Sequence, residues 1–74
     1  MDHERIEIRP EVMGGRPVIK GTRITVEHIL RECAQGMTAE KIVADYPHLT
    51  EADVLAALAY AADYLREHPV IAAE

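Results

Sequence analysis

The run Gly14-Gly15-Arg16-Pro17-Val18-Ile19-Lys20-Gly21-Thr22-Arg23-Ile24 constrains the fold more than any other part of the chain. It places three glycines, one proline and three basic residues in eleven positions, with no acid among them. A segment this rich in turn formers is a shaped backbone that neither a long helix nor a long strand can absorb. Gly14-Gly15 is a two-residue turn signal, and Lys20-Gly21 is a second. Before them, Arg5-Ile6-Glu7-Ile8-Arg9 alternates polar and apolar as a half-buried strand does, and Pro10 stops it or confines it to an edge. Val18-Ile19 and Ile24-Thr25-Val26 supply β-branched residues for partner strands. Two or three short antiparallel strands are expected over residues 5–25, and a hairpin alone is unstable in water, so it must pack on something.

From Val26 the period changes. Val26, Ile29, Leu30 and Cys33 fall on one face of a helix, with Thr25 as its cap and Gly36 at a left-handed end. Thr38 caps a short second helix to about Asp45, with Ile42, Val43 and Tyr46 inward, and Pro47 forbids its continuation. Thr50-Glu51-Ala52-Asp53 has capping-box spacing and opens a third helix to about Glu67, closed by Pro69. At about 100° per residue, Val54, Leu58, Ala61 and Leu65 form the expected core stripe, widened by Leu55 and Ala62 on one side and Ala57 and Tyr64 on the other. Ala52, Ala56 and Ala59 lie opposite. There they read either as good helix formers or, with Tyr60 and Asp63, as a partner or dimer surface.

The fold class that follows is mainly α: an N-terminal β-hairpin and a three-helix, helix-turn-helix-like bundle, in one domain over residues 1–74. The hairpin segment is expected over 5–25 and the trihelical unit over 26–68. A core this small is usually marginal, so a homodimer or another partner is expected to complete it.

Net charge is −5, but residues 1–35 balance six bases against six acids, while residues 36–74 set Lys41 and Arg66 against seven acids. Major-groove readout draws on Arg, Lys, Asn and Gln near a helix start. The third helix begins with two acids, and the chain has no asparagine. DNA, if bound, is expected at Arg16, Lys20 and Arg23. These cations and the backbone at Gly14, Gly15 and Gly21 form a candidate anion-binding concavity, the alternative being a structural hairpin with solvated cations. The spacing is not that of a P-loop, because Gly21-Thr22-Arg23 lacks the Gly-Lys-Ser/Thr that opens a helix. In the structural alternative, Thr22 and Arg23 fix the strand-to-helix junction, Arg23 pairing with Glu27.

Catalytic chemistry has little to stand on. There is no serine, Cys33 sits on the inward face of helix one, and His28 is too far round that helix to form a dyad with it. His28 and Glu32 are two potential ligands at i, i+4, short of a metal site. Tyr60 and Tyr64 read as core edge or interface. No enzyme, cofactor or metal is expected. The charged start Met1-Asp2-His3-Glu4-Arg5 is not a signal peptide, and no apolar run approaches the roughly 20 residues of a membrane span. One cysteine permits no internal disulfide, and a cytoplasmic setting is expected.

The pattern Gly15-x-Pro17-x-Ile19-x-Gly21-Thr22-Arg23-Ile24-x-Val26 resembles the prokaryotic family known as domain of unknown function 433. The likeness continues through Ile29-Leu30, Gly36-x-Thr38, Ile42, Tyr46-Pro47, Leu49-Thr50, Asp53-Val54 and Ala56-Ala57-Leu58-x-Tyr60-Ala61. It implies a homeodomain-like helix-turn-helix fold preceded by a β-hairpin. It also implies an antitoxin role: binding and blocking a PIN-like ribonuclease toxin, with operator DNA as a second ligand. It brings no catalytic residues. Two other readings stay open: a stand-alone DNA-binding regulator, and a dimerisation module with no nucleic-acid function.

Overall fold

A computed structural model describes residues 3–69. Strands β1 (Ile6–Glu7) and β2 (Val18–Ile19) pair antiparallel, with Ile6 opposite Ile19 and Glu7 opposite Val18. Helices α1 (Val26–Ala34), α2 (Ala39–Asp45) and α3 (Glu51–Glu67) follow. The hairpin and the mainly α trihelical unit are therefore those expected from the sequence.

The hairpin is built differently in detail. Gly14-Gly15 is not a two-residue turn; it ends a long connection over residues 8–17, in a 3-10 turn at Met13–Gly15. Met13, Gly14 and Gly15 are all left-handed, at φ 50°, 67° and 84°. That conformation suits the two glycines and strains the methionine. Val12 is the anchor of this loop, buried and bonded through its N–H to the Arg9 carbonyl. Ile8 is exposed, so the alternation that placed it in a strand outruns the ladder. The third strand reduces to one bridge between Val18 and Thr25.

At the second turn, the Thr22 hydroxyl donates to the Ile19 carbonyl at 2.8 Å and accepts from the Ile24 N–H at 3.0 Å. A threonine turn thus reverses the chain into α1. Thr25 caps α1, accepting from the His28 N–H, and Thr38 caps α2, accepting from the Lys41 N–H. In α3 both halves of the capping box are made between Thr50 and Asp53, at 3.2 and 3.0 Å. Each cap satisfies donors that the first helical turn would otherwise leave unpaired.

The core gathers Ile19 from β2, Val26 and Ile29 from α1, Ile42 from α2, Leu49 from the turn before α3, and Val54 and Ala57 from α3. Leu30, Cys33, Val43, Tyr46 and Tyr60 pack around it, half-buried. The hairpin closes one end of the three-helix core through Ile19 and Ile6.

α3 is rotated from the orientation its leucines suggest. It turns Asp53, Val54 and Ala57 inward, while Leu55, Leu58 and Leu65 are 60, 39 and 64% exposed. Of the expected stripe and its flanks, Val54 and Ala57 are buried; Ala61 is half-buried, and Ala62 and Tyr64 are exposed. The inward residues pack on α1 and α2 in the core, and the N-terminal segment covers an adjoining side of the helix. His3 Nε2 sits 2.9 Å from Asp63 Oδ2, and Arg5 donates to Asp53 Oδ1 at 3.0 Å. These ties hold residues 3–5 over the Asp53–Tyr60–Asp63 side of α3, away from the outward leucines.

Candidate interaction surface

The three hairpin cations are exposed, and among the described residues none makes an ion pair within 4.0 Å. Arg5, Arg9, Arg31 and Lys41 are all paired. Arg23 does not join Glu27: Arg31 holds that carboxylate, through Nη2 at 2.8 Å and Nε at 3.0 Å. The Arg31 hydrogen bond and charge, with a smaller contribution from Arg16, keep the Glu27 carboxyl below its ordinary 4.5.

The cations are free but not gathered. Arg16 borders a groove between α1 and α3, whereas Lys20 borders a separate hollow with His3, Arg5 and Asp53. The Gly21 N–H, the donor best placed for an external anion at that turn, already donates to Glu7 Oε2 at 2.8 Å. Gly21 holds φ 80°, with nothing within 4 Å of where a Cβ would stand. Its requirement is therefore the backbone conformation and not close approach. Gly14 and Gly15 belong to the connection on the other side of β2.

The residues expected as a partner surface on α3 divide. Ala52 is exposed, while Ala56 and Ala59 are half-buried and border the hollow beneath His3, Glu4 and Arg5. Tyr60 packs against the core and meets the His3 ring edge-on at 5.2 Å. Asp63 is engaged by His3.

An apolar concavity lies elsewhere. A groove of about 430 Å³ runs between α1 and α3, with Pro17, Val26, Leu30, Tyr60, Tyr64 and Leu65 in its walls and Arg16 and Glu27 at its polar edge. Tyr64 is fixed by stacking on His68 at a 4.0 Å centroid distance, and His68 Nδ1–H donates back to the Tyr64 carbonyl at 2.8 Å. An aromatic held this way presents area at little entropic cost. The groove continues through Leu65 onto the outward leucines of α3. Periodicity alone did not find this surface, because α3 is apolar on nearly every side and its leucines read as core.

The remaining polar clusters are ties between elements. His28 Nε2 and the Tyr46 hydroxyl hydrogen-bond at 2.7 Å and join α1 to the end of α2. His28 lies 3.9 Å from Glu32. Among the described residues no group of three or more His, Cys, Asp or Glu could hold a metal ion, and no helix is long and apolar enough to cross a membrane.

The class defined by this architecture is a small mainly α module, three helices closed by a hairpin, whose accessible features are an apolar groove and exposed cations. Residues 6–61 match the model of the family described as "Protein of unknown function (DUF433)", and the chain belongs to that family. It is similar to the crystal structure of a DUF433 member from Anabaena variabilis ATCC 29413, with TM-score 0.72 and 35% identity. That match covers 88% of this chain and 60% of the other. It is also 31% identical over 58 residues to "Uncharacterized protein y4eO" of Sinorhizobium fredii (strain NBRC 101917 / NGR234), covering 78% of this chain and 26% of that protein. The chain thus spans about a quarter of that relative's length.

Proposed function

We propose that this chain is a non-catalytic, antitoxin-type binding protein of the cytoplasm. It docks on a PIN-like ribonuclease and neutralises it, and it contacts operator DNA through Arg16, Lys20 and Arg23. The observation that carries the docking half is the apolar groove between α1 and α3, walled by Leu30, Tyr60, Tyr64 and Leu65. A concave apolar site with a rigid aromatic and a polar edge is the form a protein-binding hot spot takes. The excess of acids over bases in residues 36–74 suits the basic groove in which a ribonuclease holds RNA.

The DNA half is supported by the exposure of the three hairpin cations and by their having no ion-pair partner among the described residues, which suits them to phosphate. The same observation favours the second reading, a stand-alone DNA-binding regulator.

Co-expression with the neighbouring reading frame tests the docking half. The two proteins are expected to co-purify, with ribonuclease activity suppressed in the complex. Tyr64→Ala in the groove wall should weaken the complex by about 30-fold, the effect of losing one aromatic hot spot. A neighbouring protein that is not a nuclease, or a complex indifferent to Tyr64→Ala, would sink the reading.

A further inference from the structure

Among the described residues, nothing covers the seam on the outward face of α3 in the monomer. Leu55, Leu58, Ala62 and Leu65 follow one another at steps of three, four and three residues, the spacing of a and d positions in a coiled coil. Leu55 and Leu65 are the two most exposed large apolar residues among those described. Ala52 and Ala59 flank the seam, and the charges on this face are Glu51 at one end and Arg66 at the other. Neither makes an ion pair within 4.0 Å among the described residues.

We infer that a second copy of this chain covers this face, the two α3 helices packing antiparallel about a twofold axis level with Tyr60. The register follows from the side chains. Antiparallel pairing about that point sets Leu55 against Leu65 of the second copy, and Leu58 against Ala62. Large side chains then meet small ones in the two central layers, and leucine meets leucine in the outer two. Flanking alanines let the helices approach closely. Glu51 comes near Arg66 of the second copy at both ends, and the helix dipoles oppose. A parallel pair would instead stack Ala62 on Ala62, leaving a gap, and would bring Glu51 against Glu51.

The seam from Leu55 to Leu65 is about 15 Å long, within a helix of 17 residues at about 1.5 Å each. A single helix pair of that length sits at the small end of specific interfaces, so the dimer is expected to dissociate in the micromolar range. This pairing does not depend on a nuclease partner, and the chain alone tests it.

Sedimentation of the full chain from about 1 µM to about 1 mM should show a monomer–dimer equilibrium. Leu55→Glu and Leu65→Glu should each raise the dissociation constant at least about 30-fold. Both positions are exposed in the monomer, so helical circular dichroism should be retained. Glu51→Arg and Arg66→Glu should each weaken the dimer several-fold, and the two together should restore it. Orientation is read in a Cys33→Ala background with a short bis-maleimide. Chains carrying Leu55→Cys should link to chains carrying Leu65→Cys. They should not link to their own kind, whose thiols lie about 15 Å apart along an antiparallel seam. A chain monomeric at about 1 mM, a dimer indifferent to both glutamates, a charge swap that restores nothing, or self-linking of Leu55→Cys would each overturn the inference.

Discussion

Asp53 closes the capping box with Thr50 and also accepts from Arg5 at 3.0 Å, with its side chain only 11% exposed. One carboxylate therefore starts α3 and ties the N-terminal segment to it. Asp53→Ala removes a cap worth about 1 kcal/mol and a charge-assisted bond worth roughly as much, so urea unfolding should show a loss of about 2 kcal/mol. Asp53→Asn, which can still accept from the Thr50 N–H, should cost about half of that. Equal stability of Asp53→Ala and the parent chain would mean that neither bond matters. Glu27 differs, being an exposed carboxylate that Arg31 holds below its ordinary 4.5. A carboxyl depressed in the folded state contributes stability that is full above 4.5 and lost as pH falls through the lower folded value. Arg31→Gln should return the Glu27 titration to its ordinary position by NMR. An unchanged midpoint would remove Arg31 as the cause.

Helix existence, caps and ends were legible in the sequence, because Thr25, Thr38, Thr50 and Gly36 act through contacts within a few residues. The orientation of α3 was not. Its apolar residues surround the axis, so any of several faces could serve as core, and leucine content pointed to the wrong one. The face chosen is the one that packs Val54 and Ala57 against α1 and α2 and sets Asp53 and Asp63 beside Arg5 and His3, contacts separated by 48 and 60 positions in the last two cases. The candidate site divides the same way. The hairpin cations could be named from the sequence, but the groove could not, since it depends on how α1 crosses α3 and on which side Tyr64 faces. The hairpin connection was misread for a related reason: Gly14-Gly15 signals left-handed backbone correctly, while the loop that contains it is set by burial of Val12. The orientation of α3 has a direct check. Val54→Ala should cost about 2–3 kcal/mol, from lost burial and a cavity. Leu65→Ala should change the stability of the monomer by no more than about 0.5 kcal/mol. Unfolding measured at concentrations below dimerisation separates the two, and a reversed order would restore the leucine stripe as core.

At the scale of the whole molecule, charge is sorted along the chain, and the sorting decides where nucleic acid can be met. In a helix-turn-helix-like unit the start of the last helix would approach the duplex, yet here it carries Glu51 outward and Asp53 beneath it. Phosphate would be repelled there. The hairpin is the opposite case, with Arg16, Lys20 and Arg23 exposed and without ion-pair partners among the described residues. Because Arg16 and Lys20 border different hollows, they suit an extended backbone track better than a single bound anion. If each protomer of a dimer places three cations on phosphates, six counterions are released. The logarithm of the binding constant should then fall with the logarithm of salt at a slope of about −5. Replacing Arg16, Lys20 and Arg23 by alanine should flatten that slope and abolish the shift of operator DNA at low salt. It should leave helicity and dimerisation intact, since none of the three belongs to the core or to the α3 seam. Binding that survives the triple replacement would move the DNA surface off the hairpin. Binding absent from the parent chain at low salt would leave these cations as solvated charges on a structural turn.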